Sequence, residues 1–62
     1  MSYVIERIDQ GGGYVARPGS RGSYTRSLEH AEKYQDEQIA QRNCCENERP
    51  ANLERLLDAY RR

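Results

Sequence analysis

Gly11-Gly12-Gly13-Tyr14-Val15-Ala16-Arg17-Pro18-Gly19-Ser20-Arg21-Gly22-Ser23-Tyr24-Thr25 is the stretch that decides the fold. All five glycines of the 62-residue chain and one of its two prolines lie in it, and it holds no acidic residue. A strand pattern precedes it from Ser2 to Ile8, with Tyr3, Ile5 and Arg7 on one face and Val4, Glu6 and Ile8 on the other. Asp9-Gln10-Gly11-Gly12-Gly13 then reads as a turn, because glycine accepts the positive φ that hairpin turns require. Tyr14 to Arg17 is the returning strand. Pro18-Gly19 ends it, since proline cannot donate to a ladder. Residues 20–23 are loop, and Tyr24-Thr25-Arg26 is short enough to be either loop or a third strand.

Working outward, Ser27 reads as an N-cap. Leu28, Ala31, Tyr34, Ile39 and Cys45 fall within about 140° of one another at a helical period, which predicts helix from 28 to 45. Gln35-Asp36 is a point where that helix could divide, with Asp36 capping the second part. Asn47 to Pro50 is a linker or a short edge strand. Asn52 caps a last helix in which Leu53, Leu56, Leu57 and Tyr60 recur at i, i+3, i+4 and i+7, the strongest helical signal in the chain. The expected architecture is one α+β domain over residues 1–62. It consists of a small antiparallel sheet of two to three strands, begun by the N-terminal hairpin, with helices on one face.

Size and charge set the class of function. Sixty-two residues lie near the lower limit for folding without a disulfide, metal or partner. With no Phe or Trp, the five tyrosines carry most of the large apolar surface. Such a core rarely supplies more than about 3–5 kcal/mol, which makes self-association or an external partner a natural source of further stability. The formal charge of zero conceals an asymmetry. Residues 1–27 carry Arg7, Arg17, Arg21 and Arg26 against Glu6 and Asp9, a net +2; residues 28–62 carry the compensating −2. The contrast is sharpest between residues 10–27, with Arg17, Arg21 and Arg26 and no acid, and residues 29–37, where Glu29, Glu32, Asp36 and Glu37 face Lys33 alone. Surface charge of this kind is most often solvated, and Tyr14 and Tyr24 read first as core. The functional reading makes the two ends separate docking surfaces: Glu29, Glu32, Asp36 and Glu37 at the acidic one, and Arg17, Arg21, Arg26 and Tyr24 at the basic one.

The chemistry of catalysis is not written here. A nucleophile needs an adjacent base and a third group to orient it, and His30 with scattered serines forms no such set. Gly11 to Gly13 is followed by a strand rather than a helix, unlike a dinucleotide fingerprint. Cys44 and Cys45 are adjacent, a spacing suited neither to zinc nor to a mutual disulfide. They read as a reduced pair, one thiol toward the core and one toward solvent. The expectation is a non-enzymatic protein with no cofactor and no metal. Met1-Ser2-Tyr3-Val4 lacks the basic and apolar regions of a signal peptide, and no apolar run reaches membrane-spanning length. A cytoplasmic protein is expected.

Tyr3 to Glu6, Gly11 to Ala16, Pro18 to Ser20, Ser23 to Thr25, Leu28, Ala31 and Tyr34, with the later Cys45, Asn47 and Glu48, carry a resemblance. Over roughly its first 48 residues the chain resembles a family of short proteins encoded by phages and prophages. Members continue after Asn-Glu into a β-branched strand, where this chain has Arg49-Pro50-Ala51. The resemblance brings no catalytic residue. It implies a phage accessory protein, in a size class that includes stoichiometric inhibitors of host defences such as anti-CRISPR proteins, working in the bacterial cytoplasm. The expected partner is a host protein complex, including one that itself binds nucleic acid, and a homodimer is compatible with the thin core. The alternative is a small nucleic-acid-binding module that clamps phosphate with the Arg/Tyr-rich loop 14–26. A net charge of zero weighs against it, because such domains carry a marked basic excess.

Overall fold

Tyr3–Arg7 forms β1, and both neighbours of β1 run antiparallel to it. The computed structural model describes residues 2–9 and 11–61 of the chain. β2 is Tyr14–Val15, β3 is Tyr24–Thr25, α1 is Glu37–Arg42, β4 is Glu48–Asn52 and α2 is Leu53–Tyr60. The α+β class is as expected, but the sheet has four strands in the order β3-β2-β1-β4. The first turn is closed by the Arg7 amide, which donates to the Gly13 carbonyl at 2.8 Å. Gly11, Gly12 and Gly13 all have positive φ, and a Cβ on Gly13 would lie 3.1 Å from the Thr25 carbonyl oxygen. Gln10, which the sequence places in this turn, lies outside the described residues.

The fourth strand comes from the segment left open as linker or edge strand. Tyr3 pairs with Asn52, Ile5 with Pro50 and Arg7 with Glu48. The flanking bonds, Ile8 amide to Asn47 carbonyl and Leu53 amide to Ser2 carbonyl, fix the parity of this ladder. Bonded pairs fall at Val4/Ala51 and Glu6/Arg49, so Pro50 sits at a position whose missing N–H would have pointed out of the sheet. Proline is tolerated there for that reason.

A larger departure concerns residues 28–34, which are not helical. Ser27 opens a single turn rather than capping a helix, its carbonyl accepting the His30 amide at 3.1 Å, and the chain then runs extended. Ala31 bridges Ala16 and Tyr34 bridges Tyr3, so the segment fills the gap where β1 and β2 diverge. Its backbone is bonded on both sides: the Glu32 amide to the Val15 carbonyl, the Arg17 amide to the His30 carbonyl, and a reciprocal pair between Tyr3 and Tyr34 at 2.8 Å. The Lys33 ammonium donates to the carbonyls of Leu28 (2.6 Å) and Ala31 (3.0 Å). Helix begins at α1, where Asp36 is the N-cap and its carboxylate accepts the Ile39 amide at 2.8 Å. It ends at Arg42, short of the expected residue 45.

The two helices lie on opposite faces of the sheet, not on one. Val4, Tyr14 and Ala31 form a core cluster, against which Leu28, Ala51, Leu53 and Leu56 pack, and this is the α2 side. Ile5 points the other way by strand alternation and is fully buried. That face is covered by α1, which packs on β1 and β4 through fully buried Ala40.

Candidate docking surface

The four acids of the expected docking helix are dispersed by this fold. Glu29 sits exposed in the turn, and its carbonyl accepts the Lys33 ammonium at 3.2 Å. Glu32 is half-buried on the extended segment. Asp36 is used as the α1 cap, and Glu37 opens the helix itself. They follow the chain around a corner and present no common helical face. Glu37 instead borders a cleft of about 600 Å³ that wraps the outer edge of β4, with Arg49, Pro50, Arg55 and Leu56 among its walls. The Glu6 carboxylate holds Arg49 there at 2.9 Å.

The basic end is assembled differently. Arg17, Arg21 and Arg26 are all exposed. The loop bearing them is tied down at several points: the Ser20 amide donates to the Arg17 carbonyl at 3.2 Å, the Ala16 amide to the Ser23 carbonyl at 3.0 Å, and Arg17 itself to His30. Gly19, at φ +88°, lets the chain reverse after Pro18. Arg26 donates to the Gly11 carbonyl at 2.8 Å and so links the end of β3 to the glycine turn. Among the described residues, neither Arg17 nor Arg21 forms an ion pair.

Tyr24 belongs to the scaffold beneath these arginines. The Arg7 guanidinium lies 4.6 Å from its ring centroid, and its hydroxyl donates to Glu48 Oε2 at 2.5 Å. That hydrogen bond raises the Tyr24 pKa above the usual tyrosine value. Arg7 also pairs with Asp9, and the hydrogen bond holds the Asp9 carboxyl below its ordinary value. Asn47 donates to Asp9 at 3.1 Å, and the other Glu48 oxygen accepts the Cys45 amide at 2.8 Å. Asp9, Arg7, Tyr24, Asn47 and Glu48 thus form one polar network across the end of the sheet. Sequence reading missed it. The available signal was the alternation that puts Arg7 on the Ile5 face, but its partners become neighbours only through the β1–β4 register.

The remaining reactive groups are Cys44, Cys45 and His30. Cys44 is half-buried and its thiol donates to the Ala40 carbonyl at 3.3 Å, while Cys45 is exposed. Burial, with Glu48 and Cys45 nearby, pushes the Cys44 thiol above its usual pKa. His30 is exposed in its turn. Among the described residues, no three His, Cys, Asp or Glu side chains converge to hold a metal ion, and no helix is long and apolar enough to cross a membrane. No family model matches the chain, and no curated protein or solved structure shows a significant match to it.

Proposed function

We propose that this protein is a non-enzymatic, phage-type accessory protein that binds a host protein complex stoichiometrically and inhibits it. It docks the arginine loop 17–26 on an acidic surface of the target. One observation carries the choice of surface: Arg17 and Arg21 are exposed and uncompensated on a loop whose backbone is pinned on both flanks. A pinned loop loses little conformational entropy on docking, and arginine is favoured at interface hot spots. The acidic end offers less, because Asp36 is engaged as a cap and Glu32 is half-buried. Both sheet edges are also poor templates for an added strand: β3 has two residues and β4 carries Pro50. Recognition through side chains fits better. Direct nucleic-acid binding is the weaker reading, since Arg7 occupies one face of the Tyr24 ring and Tyr14 is buried.

The test is capture from a bacterial host lysate, identification of the retained protein, and titration of the purified target. Arg17→Glu with Arg21→Glu should weaken binding by at least about tenfold, roughly 1.4 kcal/mol, without lowering the melting temperature. Glu29→Lys with Glu37→Lys, chosen to spare the Asp36 cap, should leave it nearly unchanged. Equal affinity of the arginine variant and the parent would remove the reading. Salt-sensitive binding to a single-stranded oligonucleotide would favour the alternative.

A further inference from the structure

α2 carries an apolar stripe that the chain itself uses only in part. Leu53 and Leu56 pack on the Val4–Tyr14–Ala31 cluster, whereas Leu57 is 41% exposed and Tyr60 68%. The chain exposes 4766 Å² in all, while a folded monomer of its 7.2 kDa is expected to expose about 4,100 Å². The surplus of roughly 650 Å², taken over the whole chain, is of the order that each partner buries at the lower end of specific interfaces. Opposite charges lie toward the two ends of the helix, and Glu54 also accepts the Ser2 amide at 3.4 Å. Glu54 lies in the first turn of α2 and Arg61 just past its last residue. Arg61 meets Asp58 only at 4.0 Å, with both side chains at least 70% exposed. Two such helices laid antiparallel about an axis near Leu57 set Glu54 of each copy against Arg61 of the other, the reciprocal pairing of a two-fold interface. A parallel arrangement would oppose like charges.

We propose that two copies of this chain associate through α2, antiparallel, with Leu57 and Tyr60 of each copy buried against the other. This association is independent of the arginine-loop reading, because its readout is mass and not capture of a target. Sedimentation equilibrium over the micromolar to millimolar range should give twice the chain's 7.2 kDa. Leu57→Arg should sediment as a single chain with an unchanged circular dichroism spectrum. Glu54→Arg should weaken association by about tenfold, and adding Arg61→Glu should restore it. Should Leu57→Arg fail to fold, the charge-exchange pair decides alone. A parent that stays at single-chain mass throughout overturns the proposal, as does a Leu57→Arg variant that remains a dimer or a charge exchange that restores nothing. A monomeric parent whose captured host protein is lost on Leu57→Arg assigns the stripe to another chain and equally overturns it.

Discussion

The Tyr14 hydroxyl lies under α2, 3.5 Å from the Tyr60 hydroxyl, and burial together with that contact pushes its pKa up to about 12. The folded state therefore holds the Tyr14 proton more tightly than the unfolded chain, where tyrosine ionises near 10. A raised folded-state value contributes stability that is fully present below about pH 10 and is lost as pH climbs toward 12. The melting temperature should thus fall between pH 10 and 12. Tyr14→Phe should flatten the decline without abolishing it, since Tyr24 and Tyr34 are shifted in the same direction. Thermal melts at stepped alkaline pH check this, and an unaltered slope in the variant would show that Tyr14 is not the titrating group. At this scale the sequence was partly legible. Tyr14 and Tyr24 both read first as core, and Tyr14 is buried while Tyr24 is half-buried. The polar partners of Tyr24 were not legible, because Arg7 and Glu48 flank it only once β3 and β4 have taken their places.

Among the elements, α2 was the most legible and its burial the least. Asn52 caps it as the sequence indicates, the side-chain oxygen accepting the Arg55 amide at 3.2 Å. Asn52 is also the last residue of β4, so strand passes into helix without a loop, and the Leu53 amide is satisfied by Ser2 in the ladder. No residue of α2 is fully buried. Leu56→Ala should then cost about 1–2 kcal/mol, below the range for fully buried leucines. Denaturant titration measures this, and a cost near zero would mean that α2 does not stabilise the Val4 face. The misread element is 28–34. Ala31 and Tyr34 are three residues apart, which in a helix puts them on one face and in an extended chain on opposite faces. The second geometry prevails because Ala16 and Tyr3 supply backbone partners on either side of the segment. A seven-residue helix would instead begin with a costly nucleus. Local periodicity contains no information about such partners.

For the molecule as a whole, stability rests on very few side chains. Among the described residues, the buried apolar set comprises Val4, Ile5, Tyr14, Ala16, Ala31 and Ala40, and only Ile5 and Val4 are large and wholly enclosed. Ile5→Ala should cost about 2–5 kcal/mol, comparable to the roughly 3–5 kcal/mol a domain this small has in reserve. Circular dichroism at room temperature should find much of that variant unfolded. A cooperative melt close to the parent's would place the core elsewhere. The amino-acid sequence by itself determined the α+β class, the N-terminal hairpin with its glycine turn, the Asp36 and Asn52 caps and the stripe of α2. Each of these follows from φ preference, side-chain alternation or capping within a few residues. Only the tertiary structure decided that Glu48–Asn52 is a strand, that residues 31–34 are extended, that α1 and α2 take opposite faces, and that the acids disperse while the arginines share one pinned loop. Those outcomes depend on which backbone groups meet across roughly 15 to 50 residues of chain, and hydrogen-bond satisfaction between distant segments leaves no periodic trace in either partner.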